Sequence, residues 1–390
     1  MKHMETSSRI AQRNREKEPY VHASCFYGRH AWGKQNFGKQ FSMLAVTDVH
    51  RSADNLAAAV DYLNYQDALD CGICLGDIHG SNFSETDGVW YTECVLNSRK
   101  PFYTVIGNHD VGNSIRAEIS GTSRQAFEKF ILPTAPVMNG VTCERPYYAV
   151  RFDDYRLVMI CLDGYDAPDV RDGNGDFCID RGEVLFSQAQ LDWLADTMLN
   201  IPCGYHLLIC LHSFPYGAVP VDSSWTQKNL YLPDGSSFYG ENMSYIEQKT
   251  SYGDAAPLAD LVNVWKKGTA LKADYAPIAH KDILPTLHIH ADFSGRGTGI
   301  FCAYLMGHYH CDLVMRCRKY PDQNAIALAP TALDDWQNYC CDLPRVRGSV
   351  SEDCVTVVSV CTDFRQIRLV RLGSDVTFDM RERKPIVIPY

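Results

Sequence analysis

No stretch of this chain is apolar for long enough to cross a bilayer, and none within the first 40 residues has the length of a signal-peptide core. The expectation is a soluble, cytoplasmic protein without a membrane partner. An excess of basic charge is missing too. At a formal charge of -10 the surface offers little to a phosphate backbone, so a nucleic-acid partner is possible but not favoured. The deficit is uneven: residues 1–40 hold eight Lys or Arg against three Glu, which marks them as a polar basic amino-terminal arm. No apolar period organises that arm, and a solvated leader is the plain reading. A disulfide framework is not indicated either, despite 16 cysteines. Cys71 and Cys74 imitate a redox or zinc motif but have no matching second pair. Like Cys161 and Cys210 they sit in apolar runs, where cysteine behaves as a small buried hydrophobe. The adjacent Cys340 and Cys341 receive no role.

What the chain does have is a series of five short polar blocks, each placed after an apolar run. They are Asp48-Val-His50, Gly76-Asp77, Gly107-Asn108-His109-Asp110, His212, and Gly307-His308-Tyr309-His310. Imidazole, carboxylate and carboxamide groups in this proportion match what two divalent ions about 3.5–4 Å apart demand, including one carboxylate that touches both. Turn residues capping strands would account for the glycines. They would not account for the histidines and acids gathered with them.

The order Asp-x-His, Gly-Asp, Gly-Asn-His-Asp, His, Gly-His-x-His resembles the calcineurin-like metallophosphoesterase superfamily, over residues from about 41 to 315. The resemblance implies Asp48, His50 and His310 on one ion, Asn108, His212 and His308 on the other, and Asp77 between them. It implies that His109 is an uncoordinated histidine acting on the substrate, with Asp110 orienting it. The implied cofactor is a pair of divalent ions. Their identity stays open among Mn, Zn, Fe and Ni.

The periodicities fit an α/β protein. Apolar runs at 41–47, 71–75 and 101–106 read as strands that each end in a block. Leu56, Val60 and Leu63 share a helix face after a cap at Asp54, and Ser187-Gln-Ala-Gln190 reads as a capping box. Further strands are expected at 146–152, 156–162, 205–211, 325–329, 355–360 and 366–371. The resemblance implies a two-sheet β-sandwich flanked by helices, a four-layer αββα arrangement. Residues 41–390 are expected to form a single domain whose carboxy-terminal strands complete the second sheet. The segment 213–299, rich in aromatics such as Trp225, Tyr231 and Phe238, is expected to be a cap-like insertion containing a helix at 258–265.

Several features narrow the function. Asp172, Asn174, Asp176, Asp180 and Glu183 follow a calcium-loop spacing, but Phe177 stands where the sharp turn needs glycine. His288 and His290 alternate as on a strand and lack an acidic partner at ligand spacing. Gly80 occupies the position of the tyrosine ligand of purple acid phosphatases, while Asn82 and Ile106 stand at or near the arginine positions of Ser/Thr protein phosphatases. Arg296 is the best-placed remaining cation for a substrate phosphate. The expectation is a dimetal phosphohydrolase in which a metal-bridging hydroxide attacks a phosphate ester of a small molecule, as a phosphodiesterase. A phosphomonoesterase or nuclease of the same superfamily is the alternative, and a non-catalytic metal-binding module is a more distant one.

Overall fold

The computed structural model describes residues 40–80, 84–120, 123–134, 143, 145–214, 218–220, 250–253, 256–310, 312–332, 345, 347, 352–373 and 386–390. The amino-terminal arm up to residue 39, Asn82, the aromatics Trp225, Tyr231 and Phe238, and Cys340 and Cys341 lie outside them. Fifteen strands are described: β1 Phe41–Val46, β2 Cys71–Cys74, β3 Phe102–Thr104, β4 Tyr148–Phe152, β5 Leu157–Cys161, β6 His206–Cys210, β7 Ala218–Pro220, β8 Ala270–Tyr275, β9 Leu287–Asp292, β10 Ile300–Met306, β11 Leu313–Cys317, β12 Asn324–Ala327, β13 Cys354–Cys361, β14 Gln366–Gly373 and β15 Ile386–Pro389. They form two large sheets, ordered β15-β14-β13-β1-β2-β3 and β4-β5-β6-β10-β12-β11-β7, and a β8-β9 hairpin.

The strands that lead into the polar blocks run parallel to a neighbour, β1 to β2, β2 to β3 and β6 to β10. Parallel strands need covered faces, which is why their sequences are almost continuously apolar. Alternate residues divide between two cores. Phe41, Met43 and Ala45 of β1 point between the sheets, against Leu157, Met159, Leu208 and Cys210. Leu44 and Val46 point outward beneath helix α1 (Ala53–Tyr65), meeting Leu56, Val60 and Leu63. Helices α2 (Glu85–Leu96) and α3 (Ser123–Phe130) extend that layer through Tyr91, Val95 and Phe127. On the far side, α4 (Gln188–Leu199) and α5 (Pro257–Lys267) cover the second sheet with Leu191, Leu194, Leu258 and Trp265. The result is the expected helix–sheet–sheet–helix order. Among the described residues no helix is long and apolar enough to cross a membrane.

Three local readings change. Ser52, not Asp54, precedes α1, and Asp54 lies in its first turn. Ser187 caps α4 through the Gln190 N–H, but the Gln190 side chain turns away from the box and grips both backbone groups of Asp163, each at 2.9 Å. A complete capping box forms instead at Ser84 and Asp87, opening α2. Within 213–299, β7 pairs with β11 and α5 belongs to the outer helical layer. These described parts are body rather than lid, and residues 221–249 lie outside the description.

Candidate metal centre

The blocks follow the ends of β1, β2, β3, β6 and β10, so both sheets deliver them to one edge. The first two loops are laced together, as are the last two: Asp48 N–H donates to Gly76 O (3.0 Å), His50 N–H to Asp77 O (3.1 Å), and Gly307 N–H to His212 O (3.0 Å). The turns are sharp. Asp48, His50, Asp77, His308 and His310 all have positive φ, between 43° and 68°. A non-glycine residue there is strained, and strain of this kind collects where a site requires it. Close approach explains two of the glycines. A Cβ on Gly307 would meet Thr47 Oγ1 at 1.7 Å, and one on Gly107 would meet Asp77 Oδ1 at 2.2 Å.

Two buried triads result, Asp48 with His50 and His310, and Asp77 with His212 and His308. Asn108 joins the second, its Oδ1 lying 3.0 Å from His308 Nδ1. Asp48 Oδ1 lies 3.2 Å from His310 Nε2, Asp77 Oδ2 lies 3.0 Å from His212 Nε2, and His50 Nε2 lies 3.4 Å from His310 Nε2. Donors held about 2.0–2.2 Å from a common ion stand about 3–3.5 Å apart, so these separations fit shared cations. Unused atoms agree with that fit. Among the described residues, Asp48 Oδ1, Asp77 Oδ2 and His212 Nε2 are buried with no hydrogen-bond partner beyond the site's own side chains, whereas Asp48 Oδ2 is committed to Thr47 Oγ1 (2.7 Å) and the His308 N–H (3.0 Å). His212 Nδ1 faces Leu75 O at 2.7 Å. That bond keeps a proton on Nδ1 and leaves Nε2 as the coordinating atom.

The charges are arranged around this core. Burial opposes ionisation of Asp48 and Asp77, yet their histidine neighbours hold both carboxyls well below the usual range. Burial also disfavours a charged His212, but Asp77 outweighs it and raises the imidazole to about 9. His308 is pushed down to about 3 by burial and then by the His212 charge. A metal-free His212–Asp77 pair is therefore an ion pair whose Nε2 proton occupies a cation's place.

His109 stands at the rim with its side chain 26% exposed, Nε2 3.8 Å from Asp77 Oδ2. Asp110 differs from expectation. Rather than orienting the His109 ring, its carboxylate accepts backbone N–H groups from Asp77 (3.0 Å), Ile78 (2.9 Å), His79 (3.4 Å) and Gly107 (2.8 Å). It thus clamps two ligand loops together. Arg296 is a correction. It precedes β10 while the site follows β10, and seven strand residues separate the two by roughly 20 Å. Its guanidinium stacks on Trp265, 4.6 Å to the ring centroid, and donates to Ile201 O at 3.0 Å. His288 and His290 are exposed on β9, His288 pairing with Asp274 at 2.7 Å. In the calcium-like loop, Asp172 Oδ1 accepts the Asn174 and Asp176 N–H groups and Asp176 Oδ1 accepts that of Ala117. These carboxylates act as turn caps.

Residues 41–226 match the profile of the calcineurin-like phosphoesterase family. Over that stretch, a little under half of the chain, the sequence is similar to this family. The Gly307-His-Tyr-His310 block lies beyond the match, and the fold returns it to the same edge as the other blocks. Solved structures similar to the chain include the protein TT1561 of Thermus thermophilus, at 10% identity and TM-score 0.39, with 90% of this chain and 99% of that one covered. PhoD is similar at 9% and 0.48, covering 90% and 69%. The purple acid phosphatase PPD1 of yellow lupin is similar at 11% and 0.41, covering 85% of this chain and 51%, about half, of that one. No curated protein matches the sequence.

Proposed function

We propose that this calcineurin-like phosphoesterase is a two-metal phosphohydrolase acting on phosphodiesters of small molecules. The observation that carries the reading is the pair of buried triads, with donor atoms spaced as a common cation requires. Asp48, His50 and His310 would hold one ion, Asn108, His212 and His308 the other, with Asp77 between. Such a pair, when bound, polarises phosphoryl oxygens and lowers the pKa of water. The chain's own residues do the rest. The Asp110 clamp fixes the Asp77 and Asn108 loops, and His109 reaches the rim where a leaving oxygen takes its proton. The free cysteines among the described residues support a reducing, cytoplasmic setting.

The preference for diesters rests on charge. A monoester dianion asks for fixed cations beyond the metals. Arg296 stands at the far end of β10, and Arg51, next to His50, turns to Asp87 at 3.4 Å. The expected result is that the Mn-loaded enzyme hydrolyses an aryl phosphodiester with higher kcat/KM than the matching monoester. Asp77→Ala should lose both ions and His212→Ala chiefly one, as metal analysis would show. A wild-type protein that binds no divalent ion at defined stoichiometry sinks the reading, and a clear preference for the monoester sinks its diester part.

A further inference from the structure

Beside the second triad, Asn108 is touched by a side chain that belongs to none of the five blocks. The Tyr165 hydroxyl donates to Asn108 Oδ1 at 3.4 Å, and its ring centroid lies 6.2 Å from that of His212. Tyr165 is fully buried on the loop after β5, a strand end that carries no block. Its backbone is held from both sides. The N–H donates to Asp163 Oδ1 at 2.8 Å, and the carbonyl accepts from Arg124 Nη1 at 3.1 Å. Arg124 is itself paired with the buried Asp163. A buried ion pair adds little net stability. What this pair does supply is a fixed position for one tyrosine.

Asn108 needs such a neighbour. A carboxamide presents an oxygen on one side and an NH2 on the other, in nearly the same shape, and only the oxygen can ligate a cation. In the observed orientation Oδ1 faces both His308 Nδ1 and the Tyr165 hydroxyl. Turned over, the amide would present NH2 to the triad and withdraw the acceptor that Tyr165 now uses. We propose that Tyr165 is a positioning residue that keeps the Asn108 oxygen turned toward His212 and His308, and so sets the affinity of that half of the centre. The inference rests on the two-metal reading above.

A carboxylate has two equivalent oxygens and needs no such orientation, which supplies the test. Mn binding to the full chain, measured by equilibrium dialysis, is compared for wild type, Tyr165→Phe, Asn108→Asp and the double variant. Tyr165→Phe removes one oxygen and keeps the buried ring, and its metal-free melting curve reports whether the fold is intact. The substitution should weaken one of the two sites by about tenfold or more and spare the other. In the Asn108→Asp background the same change should cost less than about twofold. Unchanged affinity in Tyr165→Phe overturns the proposal, and so does an equal loss in both backgrounds, which a purely structural role would give. A wild-type protein that binds no ion removes the two-metal reading itself and this inference with it.

Discussion

His109 differs from the other site histidines in having solvent access, and its backbone N–H is tied to Asp77 Oδ1 at 2.9 Å. A group so placed can give up a proton without leaving a hole in the metal shell. His109→Ala should keep both ions and lower kcat by about 10²–10⁴-fold for a poor leaving group, with a smaller loss for a leaving group of low pKa. Turnover measured across a series of leaving groups beside metal content checks this, and loss of metal would refute it. His212 gives a second prediction. Its proton is held to about 9 when no ion is present, so at pH 7 a cation must displace it. Affinity at that half of the centre should rise with pH until about 9 and level off above. Calorimetry in buffers of different ionisation enthalpy should register the released proton, and an affinity flat between pH 6 and 9 would contradict the assignment. The side chains that gather in the two triads were legible in the sequence because coordination chemistry restricts the residue type. Tyr165 and the true partners of Asp110 were not, since a tyrosine outside a block and a carboxylate bonding to backbone leave no spacing to read.

At the scale of elements, the first, second and fifth blocks are turns held in strained backbone at the ends of their strands. Glycine is required wherever two such turns touch. Gly307→Ala has nowhere to put its methyl, because Thr47 Oγ1 occupies that space and is bonded to Asp48 Oδ2. The variant should lose about 1–3 kcal/mol of stability and bind metal more weakly through a displaced Asp48, as chemical denaturation and metal titration would show. Wild-type behaviour in both would mean that the loops yield more than their contacts suggest. Strands and helices with strong periodicity were legible for the reason given by their burial. The misread features are end effects: the cap of α1 two residues earlier, and Gln190 drawn from its box by the buried Asp163. Arg296 shows the limit of proximity in sequence, since a strand carries its two ends to opposite edges of a sheet.

On the scale of the molecule, two sheets that share a core each bring part of the candidate site, and residues 221–249 fall in sequence between the fourth and fifth blocks. Shortening that segment should change the ranking of diester substrates more than it changes metal affinity, since the described flanks are anchored in the sheet and helix layer. An unaltered substrate profile would remove the segment from specificity. The ligand set also spans the chain: His50 and His310 meet at 3.4 Å across 260 positions. An ion held between them works as a reversible cross-link over most of the polypeptide, available only after both sheets have formed. Metal uptake is then the closing act of assembly. In a cell short of the metal, newly made chains would wait with that edge unfastened and open to proteases, so the amount of protein, and not its activity alone, would follow the metal supply.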